Sequence, residues 1–142
     1  MGLKAMIIDP SAISRDLLNA ILLNESYEVV AHASQGRQAL ALAQKHKPQI
    51  ICVDMSVVYE EGMDFMAEVR RALPKTLVFM MSNELKRDTL QDALQRGVQA
   101  VIIKPFNSVK VAATIKNAVL AFIKKQQAAA AAKTVQEEGQ TG

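Results

Sequence analysis

The chain has 142 residues, enough for one well-cored domain and too few for two. Half of them are hydrophobic, only 4% are aromatic and none is Trp, so an aliphatic core is expected without disulfides or a structural metal. The net charge of +3 is spread over scattered pairs (Lys45/Lys47, Arg70/Arg71, Lys86/Arg87, Lys124/Lys125) with no interleaved aromatics, which argues against a nucleic-acid interface.

The first apolar run, Ala5–Ile8, reads as a strand. It is too short for a signal-peptide core and ends in Asp9 rather than a cleavage site. Gly2 is no myristoylation signal, because Met6 stands where Ser or Thr is needed. No segment has the apolar length of a membrane span, so a soluble protein without membrane contact is expected. After Asp9-Pro10-Ser11, with Ser11 as N-cap, Ile13, Leu17, Ala20 and Ile21 form the stripe of a first helix. Tyr27–Ala33 is a second strand; Glu28 and His32 interrupt it, which suits a sheet edge. Ala39, Leu42 and Ala43 mark a second helix after Gly36, stopped by Pro48.

The third strand is Ile50–Val53. Its Cys52, the only cysteine, has no pairing partner and reads as a buried strand thiol in a reducing, cytoplasmic setting. Met63, Met66, Val69 and Leu73 give a third helix ending at Pro74, and Leu77–Met81 a fourth strand. Leu90, Ala93 and Leu94 form a fourth helix closed by Gly97. Val101–Ile103 is a fifth strand, and Asn107 or Ser108 caps a fifth helix with Val111, Ile115, Ala118, Val119 and Phe122 inside. From Gln126 the alanines should extend that helix, and the polar end should lose structure. A domain over 1–125 with an Ala/Gln-rich extension and disordered tail over 126–142 is expected.

Continuous rather than alternating apolar strands are those of a parallel sheet covered on both faces. Strict strand–helix alternation makes an α/β fold, and five units match a flavodoxin-like doubly wound sheet of order 2-1-3-4-5 with helices on both faces. In such a sheet, ligands bind beyond the carboxyl ends of the strands. Asp9 follows the first strand, Asp54 the third, Ser82 the fourth and Lys104-Pro105 the fifth. Each is unremarkable alone, but together they place two carboxylates, a hydroxyl and an ammonium on one rim. That set suits phosphoryl transfer to a carboxylate. Asp9 and Asp54 can share a hard divalent cation, Ser82 can donate to a phosphoryl oxygen, Lys104 can neutralise another, and Asp54 is the nucleophile.

These motifs resemble the response-regulator receiver family. The resembling stretches are Met6-Ile7-Ile8-Asp9, Gly36 with Ala39-Leu40, Pro48 to Asp54, Gly62, Met80-Met81-Ser82 and Lys104-Pro105-Phe106. The similarity runs from about Leu3 to Lys125. It implies Mg²⁺-dependent self-phosphorylation of Asp54 from a histidine kinase, a phosphotransfer protein or a small phosphodonor, with no other enzymatic activity. It implies Asp9, Asp54 and the main-chain carbonyl of Ser56 as metal ligands, and a cis Lys104–Pro105 bond. Four positions depart from the family pattern. Pro10 replaces a second acid, which implies weak Mg²⁺ binding; Val57-Val58 replaces Met-Pro; Asn83 replaces a smaller residue; and Val101 replaces a Tyr or Phe. Glu60 or Glu61 is a candidate substitute ligand.

The expected function is that of a stand-alone, cytoplasmic two-component phosphoacceptor. It would signal by protein contact through the face of its fourth helix, fifth strand and fifth helix, with homodimerisation left open. Lys86, Arg87, Arg96 and Lys110 on that face point to an acidic partner. The alternative, favoured by Pro10 and Val101, is a pseudo-receiver docking module that needs no phosphorylation. A nucleotide or cofactor binder of the same fold would need a glycine loop after the first strand, where Asp9-Pro10-Ser11 stands.

Overall fold

In a computed structural model, backbone is described for residues 2–141 and side chains through residue 134. Five strands, β1 (Lys4–Ile8), β2 (Glu28–Ala33), β3 (Ile50–Asp54), β4 (Leu77–Ser82) and β5 (Ala100–Ile103), form one sheet of order β2-β1-β3-β4-β5, every pair parallel. This is the doubly wound order expected from the alternation. The interrupted second strand does lie at an edge, with a register shift between Ala5 and Met6. Around the sheet run α1 (Ala12–Asn24), α2 (Gly36–His46), a single turn α3 (Met55–Val58), α4 (Phe65–Ala72), α5 (Arg87–Gln95) and α6 (Ser108–Thr141). The fourth and fifth helices of the sequence reading are therefore α5 and α6.

The central strands β1, β3 and β4 are buried almost throughout, yet their side chains still alternate between two cores. Met6, Ile8, Ile51, Val53, Val78 and Met80 pack with Ala39 and Ala43 of α2, Phe65, Met66 and Val69 of α4, and Ala93 of α5. Ala5, Ile7, Ile50, Cys52, Phe79 and Met81 pack with Leu18 and Leu22 of α1 and Val111, Ile115 and Val119 of α6. Each fully buried aliphatic side chain contributes about 1.5–3 kcal/mol, so the helices are fixed to the sheet by these two layers. Burial pushes the Cys52 thiol up to about 12, which makes it a core residue with no thiolate character.

Two helix faces differ from the sequence reading. In α1 the buried residues are Leu18 and Leu22, while Ile13 is 74% and Leu17 54% exposed. The helix carries two overlapping apolar stripes, and the one containing Leu18 and Leu22 faces the sheet. In α5 Ala93 is buried but Leu94 is exposed. Capping follows expectation more closely: the Ser14 amide donates to Ser11 Oγ at 3.2 Å and the Lys110 amide to Asn107 Oδ1 at 3.1 Å. Gly97, at φ +101°, ends the α5 segment in a conformation that side chains resist. Along α6, residues from Ile123 to Thr134 are exposed, and the backbone stays helical to Thr141, past the point where loss of structure was expected. Side chains 135–142 lie outside the described residues. No helix among the described residues is long and apolar enough to cross a membrane.

Candidate functional site

The strand register assembles the site. Ile8 pairs with Val53, so Asp9 follows at the level of Asp54; Asp54 pairs with Met81, one residue before Ser82; and Ser82 pairs with Ile103, one residue before Lys104. All four rim residues named from the sequence are thus brought to the carboxyl edge, as the parallel register requires.

Lys104 is the hub. Its Nζ donates to Asp9 Oδ2 at 2.6 Å and to Asp54 Oδ1 at 2.8 Å. The Lys104–Pro105 bond is cis. Asp9 is 1% exposed; its Oδ1 accepts the Ser11 amide at 2.9 Å, and its carbonyl accepts Arg15 Nη1 at 2.6 Å. Asp54 caps α3: its Oδ2 accepts the Ser56 amide at 3.0 Å and the Ser56 hydroxyl at 2.6 Å. Burial alone would raise the Asp54 carboxyl. The hydrogen bonds from Lys104 and Ser56, with the Lys104 charge, outweigh it and hold the group below its ordinary value. For Lys104 burial works downward and is outweighed by its contacts with Asp54 and Asp9, so the ammonium is held above its ordinary value. Asp54 is therefore ionised at neutral pH.

Ser82 is buried but aimed elsewhere. Its hydroxyl donates to the Glu84 carbonyl at 2.7 Å and touches Met55 Sδ at 3.6 Å, while the Glu84 amide donates back to it at 3.3 Å. Asn83 beside it is exposed, and Val101 is half-buried against the α2/α4/α5 core. Glu60 and Glu61 are exposed, and among the described residues no group of three or more His, Cys, Asp or Glu side chains could hold a metal. Glu60 and Glu61 thus form no such group with Asp9 and Asp54 among the described residues.

Asp9 and Asp54 both reach the Lys104 ammonium, so two side-chain oxygen donors that would suit a hard cation lie together on the rim. With Asp9 and Asp54 as side-chain ligands and the carbonyl of Ser56 nearby in the chain, the donor set is all oxygen, as Mg²⁺ requires. A metal held there would share the acids with Lys104, and Pro10 offers it no carboxylate. A separate cleft of about 530 Å³ lies at the opposite end of the sheet, lined by Leu3, Leu73, Leu77 and Phe122; it is apolar and contains none of these groups.

Sequence reasoning missed Arg15, the Ser56 hydroxyl and Met55. Ser56 was legible, since a hydroxyl two residues after a helix-capping Asp is within reach of it. Arg15 on the second turn of α1 carries no distinguishing pattern.

The family described as the response regulator receiver domain matches residues 5–116, most of the chain. The chain belongs to that family. This receiver is 28% identical over 111 residues to the chemotaxis protein CheY of Bacillus subtilis, covering 78% of this chain and 92% of that protein. It is 30% identical over 121 residues to the transcriptional regulatory protein PdtaR of Mycobacterium tuberculosis, covering 84% of this chain and 58% of that protein. Among solved structures, chemotaxis response regulator CheY4 of Vibrio cholerae superposes with a TM-score of 0.74 at 28% identity, over 83% of this chain and 99% of that one.

Proposed function

We propose that this receiver is a phosphorylation switch whose acceptor is Asp54, charged by a sensor histidine kinase or a phosphotransfer protein and read out by protein contact. The observation that carries the reading is the Lys104 ammonium held between the two rim carboxylates, 2.6 Å from Asp9 and 2.8 Å from Asp54.

An Asp54 oxygen attacks phosphorus, the bond to the donor's imidazole nitrogen breaks, and the imidazole leaves as the acyl phosphate forms. Lys104 then has an incoming dianionic group to neutralise, for which a mobile point charge is suited. Ser82 reaches a phosphoryl oxygen only by giving up Glu84. Asp9, Asp54 and the Ser56 carbonyl would hold Mg²⁺, which when bound offsets charge and aligns the phosphoryl group. Because Pro10 supplies no acid, that binding is weak. The chain acts on its own side chain and turns over no other substrate.

Two surfaces fit such a module. Ile13 and Leu17, exposed on α1, offer an apolar landing site on the helix that follows Asp9. On the α5–β5–α6 face, exposed Ile103 and Val109 lie among Lys86, Arg87 and Lys110, which suits an acidic partner with an apolar centre. Arg96 pairs with Asp92 at 2.7 Å and Asp64 at 3.8 Å, and Lys86 with Glu84 at 3.6 Å, which leaves Arg87 and Lys110 as the members of that basic set without an ion pair among the described residues. A cytoplasmic setting goes with the phosphohistidine donor and belongs to the same proposal.

The second reading, a docking module that needs no phosphorylation, is favoured by Pro10 and by the commitment of Ser82 to Glu84. Intact mass after incubation with acetyl phosphate and Mg²⁺ separates the two: a one-phosphoryl adduct supports the switch, and an unmodified chain supports the docking module.

A further inference from the structure

Asp54 and Tyr59 stand at the two ends of α3, a helix of four residues. Asp54 is its N-cap, through Oδ2 and the two Ser56 donors. Tyr59 is its C-cap, with its amide donating to the Met55 carbonyl at 3.0 Å. Val57 and Val58 between them are buried. A single turn fixes several residues for about one internal hydrogen bond, so its geometry depends on what holds its ends.

One end is held by the acceptor itself. The other is held by α5. Tyr59 Oη donates to Asp92 Oδ2 at 2.6 Å, Arg96 Nε donates to the same oxygen at 2.7 Å, and the Arg96 guanidinium lies 5.0 Å from the Tyr59 ring centroid. Arg96 also reaches Asp64, the N-cap of α4. Burial and the Asp92 acceptor push the phenol up to about 12, so Tyr59 keeps its proton and stays a donor. Strand β5 carries Ala100, Val101, Ile102 and Ile103, whose side chains can neither donate nor accept a hydrogen bond.

We propose that Tyr59 is a positioning residue that ties α5 to the state of Asp54 through α3. Phosphorylating an Asp54 oxygen changes the bulk and the hydrogen bonding of the group that caps α3. A shift of that turn moves Tyr59, and the phenol carries the shift to Asp92 and Arg96. The inference rests on Asp54 being the group whose state changes.

The test needs no phosphodonor, so it is independent of whether the adduct forms. Asp54→Ala removes the cap, whereas Asp54→Asn removes the charge but retains capping ability. Amide hydrogen exchange is followed in α3 and α5, with global stability measured in parallel by urea unfolding. Asp54→Ala is expected to speed exchange over Arg87–Gln95 by about fivefold, the equilibrium equivalent of one lost cap, and Asp54→Asn to leave it near wild type. In a Tyr59→Ala background, Asp54→Ala should still speed exchange in α3 but no longer in α5. Tyr59→Phe, which keeps the ring over Arg96, should restore part of the α5 response. An α5 response of equal size with and without Tyr59, or no α5 response to Asp54→Ala, overturns the proposal.

Discussion

Lys104 Nζ stands 2.8 Å from Asp54 Oδ1, and the two groups shift each other's titration in opposite senses. The depressed Asp54 carboxyl contributes stability that is full above its ordinary value of 3.8 and is lost as pH falls through the lower folded value. The raised Lys104 ammonium contributes stability that is full below 10.5 and is lost as pH rises through the higher folded value. From this pair, urea midpoints should be flat between about pH 5 and 9 and fall on either side.

Lys104→Met leaves two neighbouring carboxylates, one of them almost fully buried, with no cation. A loss of about 2–3 kcal/mol is expected at pH 7, toward the low end for a broken buried pair because Lys104 and Asp54 are partly exposed. The deficit should narrow as pH falls toward 4, since an unpaired acid then takes up a proton more readily in the folded state. Urea unfolding at the two pH values checks this; a deficit that grows in acid contradicts it.

How much of this was legible beforehand depends on range. Strands Ile50–Asp54 and Leu77–Ser82 announce themselves by unbroken apolar runs, and a parallel sheet then forces Asp9, Asp54, Ser82 and Lys104 to one rim. The α1 face was not legible, because Ile13, Leu17, Leu18, Ile21 and Leu22 satisfy two helical stripes at once and only the sheet chooses between them. Tyr59 with Asp92, 33 residues apart, and Arg70 with Gly97, 27 apart, meet through tertiary packing and leave no local pattern. The direction of the Ser82 hydroxyl depends on the Glu84 carbonyl, a main-chain acceptor that any residue at 84 would offer.

Arg70 is a structural clamp far from the chemistry. Its guanidinium donates to the carbonyls of Thr76 at 2.8 Å, Gly97 at 3.1 Å and Pro74 at 3.3 Å, tying α4 to the loops that precede β4 and β5. Arg70→Ala should cost about 2–3 kcal/mol, the scale for leaving part-buried acceptors of a charged donor unpaired. Chemical denaturation measures it, and a cost below about 0.5 kcal/mol, typical of a surface change, contradicts the assignment.

Truncation after Lys125 removes only residues that are exposed as far as Thr134. Stability should change by less than about 0.5 kcal/mol while the far-ultraviolet helix signal drops. Loss of cooperative unfolding would show that the extension packs on the domain.

Pro10→Asp adds an acid beside Asp9 and should tighten Mg²⁺ binding by about 1–3 kcal/mol, the range for a charged group gaining a close partner. Calorimetric titration of both proteins measures the difference. Equal affinity contradicts the view that Pro10 is what weakens the site.

The central claim is that Asp54 accepts a phosphoryl group, and the most direct measurement is intact mass of wild type and Asp54→Asn side by side after acetyl phosphate and Mg²⁺. The account predicts one added phosphoryl group on wild type and none on Asp54→Asn, with both variants folded by circular dichroism. Equal labelling of the two proteins, or none on either, would contradict it.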